Sequence, residues 1–338
     1  MDANTKPDAP ATPLSWGFLI FPGFPMACLT SAIEPLRAAN ELTGERIFSW
    51  RILAEEDDPV RSSADIRFAV DQHAWTIGQV DAIMLISPPS ARFRDRLAAS
   101  RLRWRARHGT VLGAFSGGVF PLARTGLLRG ATASVHWAYE AAFAAEFPDL
   151  PTTRAAIHRQ GRLVTASGAG AVFDLMLRVI EERLGRRRMN EVACWFNHPF
   201  VRHLDARQNV PVPGGTEDLL PLPVREAVRH FRTHIEDPIS IADVASFVGL
   251  SERTLERAFK SALGESPLRY YRRMRLDHAR QRVLYSTDSL SEIARSVGYA
   301  EPADMARHYA EAFGRRPQEE RRRVAGLRGM TGEALPDL

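Results

Sequence analysis

Two stretches in the second half of this chain repeat one another. SIADVASFVGLS (240–251) and SLSEIARSVGYA (289–300) align Ser240 with Ser289, Asp243 with Glu292, Ala245 with Ala294 and Gly249 with Gly298, at an offset of 49. Beyond the glycine the offset becomes 50, and Arg257 matches Arg307, Phe259 Tyr309, Gly264 Gly314 and Pro267 Pro317. Such a repeat constrains the fold because each copy must build the same small unit. Serine followed three residues later by a carboxylate is a capping box, weaker where Asp replaces Glu. The alanine lets two helices cross closely, and the glycine suits a turn that needs positive φ. An amphipathic helix comes after each turn. Helix, glycine turn, helix is the DNA-binding helix-turn-helix. Two copies joined by a long helix over about 267–286 can place recognition helices in successive major grooves, roughly 34 Å apart.

The exposed face expected for the first recognition helix carries Glu252, Arg253, Thr254, Arg257 and Lys260. Arginine can read guanine O6 and N7, and lysine can meet phosphate. The bland alternative is a solvated charged face. The second recognition helix opens with Glu301 and Asp304, followed by Arg307 and His308. Those acids either complement the helix dipole, the reading favoured here, or Glu301 accepts from a cytosine N4 amine. Net charge is +5, and residues 223–324 hold 19 Lys/Arg against 15 Asp/Glu, a modest bias toward an anionic partner.

Residues 14–185 alternate differently. SWGFLIF (15–21), FSWRILA (48–54), VDAIMLIS (80–87), TVLGAF (110–115) and GRLVTAS (161–167) read as strands. Residues 28–42, 91–107, 117–127, 136–147 and 169–184 read as helices. The expected fold is therefore an α/β first domain, a mainly parallel, flavodoxin-like sheet flanked by helices, followed by an all-α second domain. The expected divisions are a disordered lead over 1–13, an α/β domain over 14–208, a Pro/Gly-rich linker over 209–222, a double helix-turn-helix domain over 223–324 and a disordered tail over 325–338. No apolar run is long enough to span a membrane, the N-terminus lacks a signal-peptide core, and Cys28 and Cys194 are too few for a disulfide scaffold or structural zinc site. These readings place the chain in the cytoplasm, with both cysteines buried and no metal or cofactor.

VLGAFSGGVF (111–120) reads as strand, tight turn, helix, the elbow on which hydrolases mount a nucleophile. Ligands on parallel sheets bind at the carboxyl ends of the strands, where this turn falls.

Residues 223–323 resemble the DNA-binding domain of the AraC/XylS regulators. The resemblance rests on GLSERTLERAFKSALGESPLRYYRRMRLDHAR (249–280) and IARSVGYAEPADMARHYAEAFGRRPQEERR (293–322). Glu301, Met305 and Glu320-Arg321 depart from the family's usual residues. Residues 14–208 resemble the PfpI-like class I glutamine-amidotransferase superfamily, as fused to AraC-type domains in GlxA-like regulators. The matching segments are FLIFPGFPM, SAIEPLRAANELTG, GAFSGGVFPLARTGLLRGATASVHW and TASGAGAVFDLMLRVIEERLG. By that match Phe115 holds the nucleophile position, with Glu34 and His136 as its companions. Phenylalanine cannot be acylated, so the resemblance implies a binding pocket and no enzyme. Glu34 would take a cationic group, Phe115 and Trp137 would offer ring faces, and backbone amides at Ser116–Gly118 would hold a carboxylate. Against this, Glu34 can be plain first-turn helix chemistry, His136 a structural hydrogen-bonder, and Phe115 and Trp137 core. The resemblance implies a promoter-binding regulator, an activator and homodimer working with RNA polymerase. It also implies an effector of the quaternary-amine or amino-acid type, as for regulators of carnitine, betaine or arginine catabolism. The alternatives are a PfpI-like hydrolase or amidotransferase fused to a DNA-binding domain, and an architectural DNA binder with a vestigial first domain.

Overall fold

The apolar runs of the first half become strands buried on both faces. The computed structural model describes residues 12–198, 206, 208, 211–212, 215–216 and 219–330. In chain order the first half forms β1 (Leu14–Ile20), α1 (Met26–Thr43), β2 (Phe48–Ala54), β3 (Val60–Arg61), β4 (Arg67–Phe68), β5 (Gln72–His73), β6 (Ala82–Ser87), α2 (Ala98–Arg107), β7 (Val111–Ser116), α3 (Val119–Arg124) and β8 (Ala133–Ser134). A 3-10 turn (Trp137–Tyr139) leads to α4 (Glu140–Glu146), β9 (Thr152–Thr153), β10 (Ile157–Gln160), β11 (Leu163–Ala166), α5 (Ala169–Leu184) and α6 (Arg186–Trp195). Seven strands share one sheet in the order β10-β11-β7-β6-β1-β2-β5. All neighbours run parallel except β10, which turns back antiparallel on β11.

The burial patterns explain the order. β6 is buried at every position, and β1 from Trp16 to Ile20, as central strands covered on both faces must be. β2 lies near the edge and leaves Arg51 exposed. α1 and α5 cover one face through Leu29, Ala32, Leu36, Val172, Met176 and Ile180. His198 Nε2 lies 2.8 Å from the fully buried Asp174 Oδ1 and ties the end of α6 to α5.

Past Pro211–Val212 (β12) and Gly215–Thr216 (β13), a two-stranded hairpin, the described chain is helical. It forms α7 (Leu222–Thr233), α8 (Ile241–Phe247), α9 (Glu252–Leu263), α10 (Pro267–Tyr285), α11 (Leu290–Ser296), α12 (Pro302–Phe313) and α13 (Pro317–Met330). Their core joins Val228, Phe231, Val244, Phe259, Tyr271, Leu276, Ile293 and Tyr309. The chain divides into two compact units. One takes the described residues up to His136 with those of 149–207; the other takes Trp137–Pro148 with the described residues of 208–330. Trp137–Pro148 thus clusters with the helices, although the sequence reading places it in the first domain. Within that unit the Tyr139 ring meets Tyr285 edge-on at 4.8 Å, and Ala141 N–H donates to Gln281 Oε1 at 3.2 Å.

Several boundaries move. The helix expected over 91–107 forms only from Ala98, and that expected over 117–127 shrinks to Val119–Arg124. α6 and the antiparallel β10 are additions. Helix α13 runs to Met330, past the 325 at which a disordered tail is expected. The remaining tail, the lead up to residue 11 and most of the linker lie outside the described residues. Cys28 is buried, and burial pushes its thiol up to about 12, but Cys194 is exposed, contrary to expectation. Among the described residues no helix is long and apolar enough to cross a membrane, and no cluster of His, Cys, Asp and Glu is placed to hold a metal.

The repeat is exact in its architecture. α8 and α11 are offset by 49, α9 and α12 by 50, and both turns bend at a glycine with positive φ, +69° at Gly249 and +72° at Gly298. Their surroundings differ. A Cβ on Gly249 meets open space, whereas one on Gly298 would strike Pro238, with Cδ at 2.6 Å, and the Glu236 carbonyl at 2.9 Å. Gly249→Ala is therefore expected to cost about 1–2 kcal/mol, the left-handed penalty alone. Gly298→Ala should cost visibly more, because backbone must also move. Denaturant unfolding followed by circular dichroism will rank the two; equal losses would refute the packing difference.

Candidate functional site

The two motifs are held by the caps that the spacing predicts. Asp243 N–H donates to Ser240 Oγ at 3.1 Å, and Ser240 N–H returns a bond to Asp243 Oδ2 at 3.3 Å. In the second copy the return bond, from Ser289 N–H to Glu292 Oε2, is shorter at 2.8 Å, as the longer glutamate reach allows. The bonds that the Ser289 backbone and hydroxyl donate hold the Glu292 carboxyl below its ordinary range. Ala245 and Ala294 are buried, and their carbonyls accept from the N–H groups of Leu250 and Tyr299 beyond the turns, both at 2.9 Å.

α9 buries Leu255, Phe259 and Leu263 and turns Arg253, Arg257 and Lys260 to solvent. Positions 253, 257 and 260 have i, i+4, i+7 spacing, so the three cations form one stripe. Thr254 is half-buried; its N–H donates to the Ser251 hydroxyl at 3.3 Å, and its own hydroxyl lies 2.8 Å from it, so it completes the cap. α12 buries Met305 and Tyr309, the counterparts of Leu255 and Phe259. Glu301 is its N-cap but makes no capping bond, and Asp304 sits in the first turn. Arg307 Nη2 donates to Asp304 Oδ1 at 2.7 Å, and His308 Nδ1 lies 3.1 Å from Tyr299 Oη.

Two residues to which sequence reasoning gave no role position these helices. Arg275, on α10, donates from Nε to Val297 O and from Nη2 to Gly298 O, both at 2.7 Å, and lies 4.6 Å from the Tyr299 ring. One arginine among many in RRMRLDHAR carries no spacing signal that would mark it. Glu320 is buried; it accepts from Arg280 Nε at 3.0 Å and from the Tyr309 hydroxyl at 2.7 Å, tying α12 to α10 and α13. A signal existed, since Glu320-Arg321 is one of the points at which the chain departs from the family's usual residues.

In the sheet unit the elbow shifts by one residue from the expected position. Phe115 is fully buried in the core, so it offers no ring face to a ligand, and the pairing of Phe115 with Trp137 as an aromatic cage fails. The strained residue is Ser116, at φ +53°, the sharp strand-to-helix turn on which a nucleophile would stand. Gly118 packs so closely on the Leu85 carbonyl that no Cβ would fit, and its N–H is already spent on Phe115 O at 3.0 Å. That N–H is therefore not available to a carboxylate. Gly117 lies against Ser87 and Pro88 at the end of β6. Glu34 stands in the ninth position of α1, about 12 Å along the helix from Met26 at 1.5 Å per residue, so it is not first-turn chemistry. It is half-exposed, and its carboxylate is taken by Arg37 at 2.9 Å. A Cβ at Gly168, the N-cap of α5, would lie 3.3 Å from the His136 ring, and burial lowers the His136 pKa below the ordinary imidazole value. Trp137 begins the segment that clusters with the helices, and its N–H donates to Gln208 Oε1 at 3.0 Å.

This geometry agrees with comparison to known proteins. The DJ-1/PfpI family pattern matches residues 25–182, and a helix-turn-helix domain pattern matches 244–323. The HTH-type transcriptional regulator GbdR of Pseudomonas aeruginosa is 32% identical over 310 residues, 91% of this chain and 84% of its own length. The chain belongs to the AraC-type transcriptional regulators that carry a DJ-1/PfpI domain. The regulator GlxA of Rhizobium meliloti is likewise 32% identical, over 91% of this chain and 95% of its own. The regulator ArgR of P. aeruginosa is 29% identical over 94% and 95%. DNA binding and the flavodoxin-like first fold are thus shared properties of the architecture.

The Glu320 contacts make a pH prediction. Burial opposes ionisation, but the bonds from Arg280 and Tyr309 prevail and hold the carboxyl below the usual glutamate range. A lowered folded pKa contributes stability that is full above the unfolded value, near pH 4.3, and is lost as pH falls through the folded one. Glu320→Gln should cost about 2 kcal/mol at neutral pH and flatten the acid side of the stability curve. Unfolding midpoints measured from pH 7 down to pH 3 will show it; an unchanged acid limb would remove this role.

Proposed function

We propose that the protein is a metabolite-controlled activator that reads promoter DNA through α9 and α12, working as a homodimer with RNA polymerase in the cytoplasm. The observation that carries the reading is the stripe of Arg253, Arg257 and Lys260 on a capped, duplicated helix-turn-helix. Arg253→Ala or Arg257→Ala is expected to weaken operator binding by about 1–3 kcal/mol and relax specificity at one base position. Gel-shift titration on promoter DNA at fixed salt tests this. A uniform loss on all DNA would turn the base contact into a phosphate contact, and no loss would remove α9 from the interface.

The effector in this reading is a small amino-acid-like or quaternary-ammonium metabolite, bound at the strand ends around Ser116, Gly117 and His136. Phe115 drops out because it is buried, and Glu34 because Arg37 already neutralises it. Supporting this position are the strained Ser116, the neutral state that burial favours for His136, and the rule that parallel sheets bind ligands at their carboxyl ends. From His136 the chain runs directly into Trp137–Pro148, which packs on α10, so occupancy can bias the helical unit between two arrangements. Calorimetric titration of the full chain with betaine, carnitine, choline and arginine should give saturable heat for at least one, lost in His136→Ala. Silence across the panel would exclude this ligand class.

A hydrolase reading draws on one observation, the elbow strain at Ser116. Against it, no described side chain hydrogen-bonds Ser116 Oγ, and nucleophilic serine needs an adjacent base. Turnover of an amide, peptide or glyoxal substrate that Ser116→Ala abolishes would establish the enzyme.

A further inference from the structure

The two recognition helices share one plan and carry opposite charge. α9 sets Arg253, Arg257 and Lys260 against Glu252 and Glu256, while α12 and its cap set Glu301, Asp304 and Glu311 against Arg307. All of these side chains are exposed. Among the described residues no carboxylate forms an ion pair with Arg253, Arg257 or Lys260, whereas Arg307, the one arginine of α12, is taken by Asp304 at 2.7 Å. The helix starts differ as well. A neutral Ser251 hydroxyl caps α9, but Glu301 caps α12 without a bond, which leaves a free carboxylate at the end where helices commonly receive phosphate. DNA phosphates repel such groups within a screening length of about 8 Å at physiological salt.

Resting on the DNA-reading role above, we propose that Glu301 and Asp304 are specificity-determining residues that hold down the affinity of the second motif for DNA in general. The cationic α9 anchors the protein. α12 engages only where a base edge repays the repulsion, the fitting one being a guanine whose O6 and N7 take the Arg307 guanidinium from Asp304. The dipole role of Asp304 and this role are compatible, because a carboxylate that favours the helix start is the same charge that disfavours the phosphate.

The test is a fluorescence-anisotropy titration of the full chain on two labelled duplexes of equal length, one from upstream of its own gene and one of unrelated sequence, over a salt series. Asp304→Asn should tighten binding to the unrelated duplex by roughly 3–10-fold at low salt, and less as salt rises. The ratio between the two duplexes should narrow. Glu301→Gln should act in the same direction, and both exposed substitutions should leave the unfolding midpoint near that of the parent. Weaker binding to the upstream duplex alone would show that the carboxylate accepts from a cytosine amine and overturn the proposal. Unchanged binding to both duplexes would overturn it too, since the charges would then not face DNA. Arg257→Ala keeps the two readings apart: if it costs nothing on either duplex, the role of α9 fails, whatever Asp304→Asn does.

Discussion

Arg275 sits midway along α10 and completes the end of another helix. The last carbonyls of a helix have no partner within it, and leaving them buried and unpaired is costly. Here Val297 O and Gly298 O, at the turn between α11 and α12, both accept from one guanidinium, which also lies against the Tyr299 ring. One turn earlier on α10, the Tyr271 hydroxyl donates to His234 O, just past α7. The central helix therefore grips an element of each half. Those grips hold the end of α7 and the α11–α12 turn, while α9 and α12 differ in charge on their solvent faces and correspond in position on their buried ones, Leu255 with Met305 and Phe259 with Tyr309. Glu320 adds the last tie by fixing Tyr309, the core residue of α12, to α10 and α13.

The sheet unit makes its candidate site by a different route. Parallel pairing of β6 with β7 brings Ser87 level with Ser116 at the strand ends, and Gly118 then has to pack on the Leu85 carbonyl. That close approach forces the chain to turn within one residue, and Ser116 takes the positive φ. A strained non-glycine residue costs about 1–3 kcal/mol and persists only where its surroundings leave no alternative. Strain of this kind is compatible with binding or with chemistry.

Much of this was legible in the residues. Strand FSWRILA and helix 169–184 fall where their patterns place them, and both capping boxes form with the partners that the Ser-x-x-Asp/Glu spacing names. Local periodicity and side-chain reach fix such features without help from the rest of the chain. The errors share a cause as well. Residues 91–97 lack a helix because helical composition alone cannot outweigh the turn after β6. Phe115 and Ser116 differ by one position, and in a strand one position turns a side chain to the opposite face, although here both are buried. Glu34 was matched by sequence to the elbow, but a neighbour one turn away on α1, Arg37, takes its carboxylate.

By itself, then, the sequence determined the fold class, the duplicated helix-turn-helix with its caps and glycine turns, and the cationic stripe of α9. Each of these rests on contacts within a few residues or on a repeat that can be read directly. Only the tertiary structure decided that Ser116 and not Phe115 stands at the elbow, that Trp137–Pro148 joins the helices, and that Arg275 and Glu320 hold the motifs in place. Those outcomes depend on groups far apart in the chain arriving at hydrogen-bond distance. A residue's own character does not specify which distant carbonyl or carboxylate will be left needing a partner.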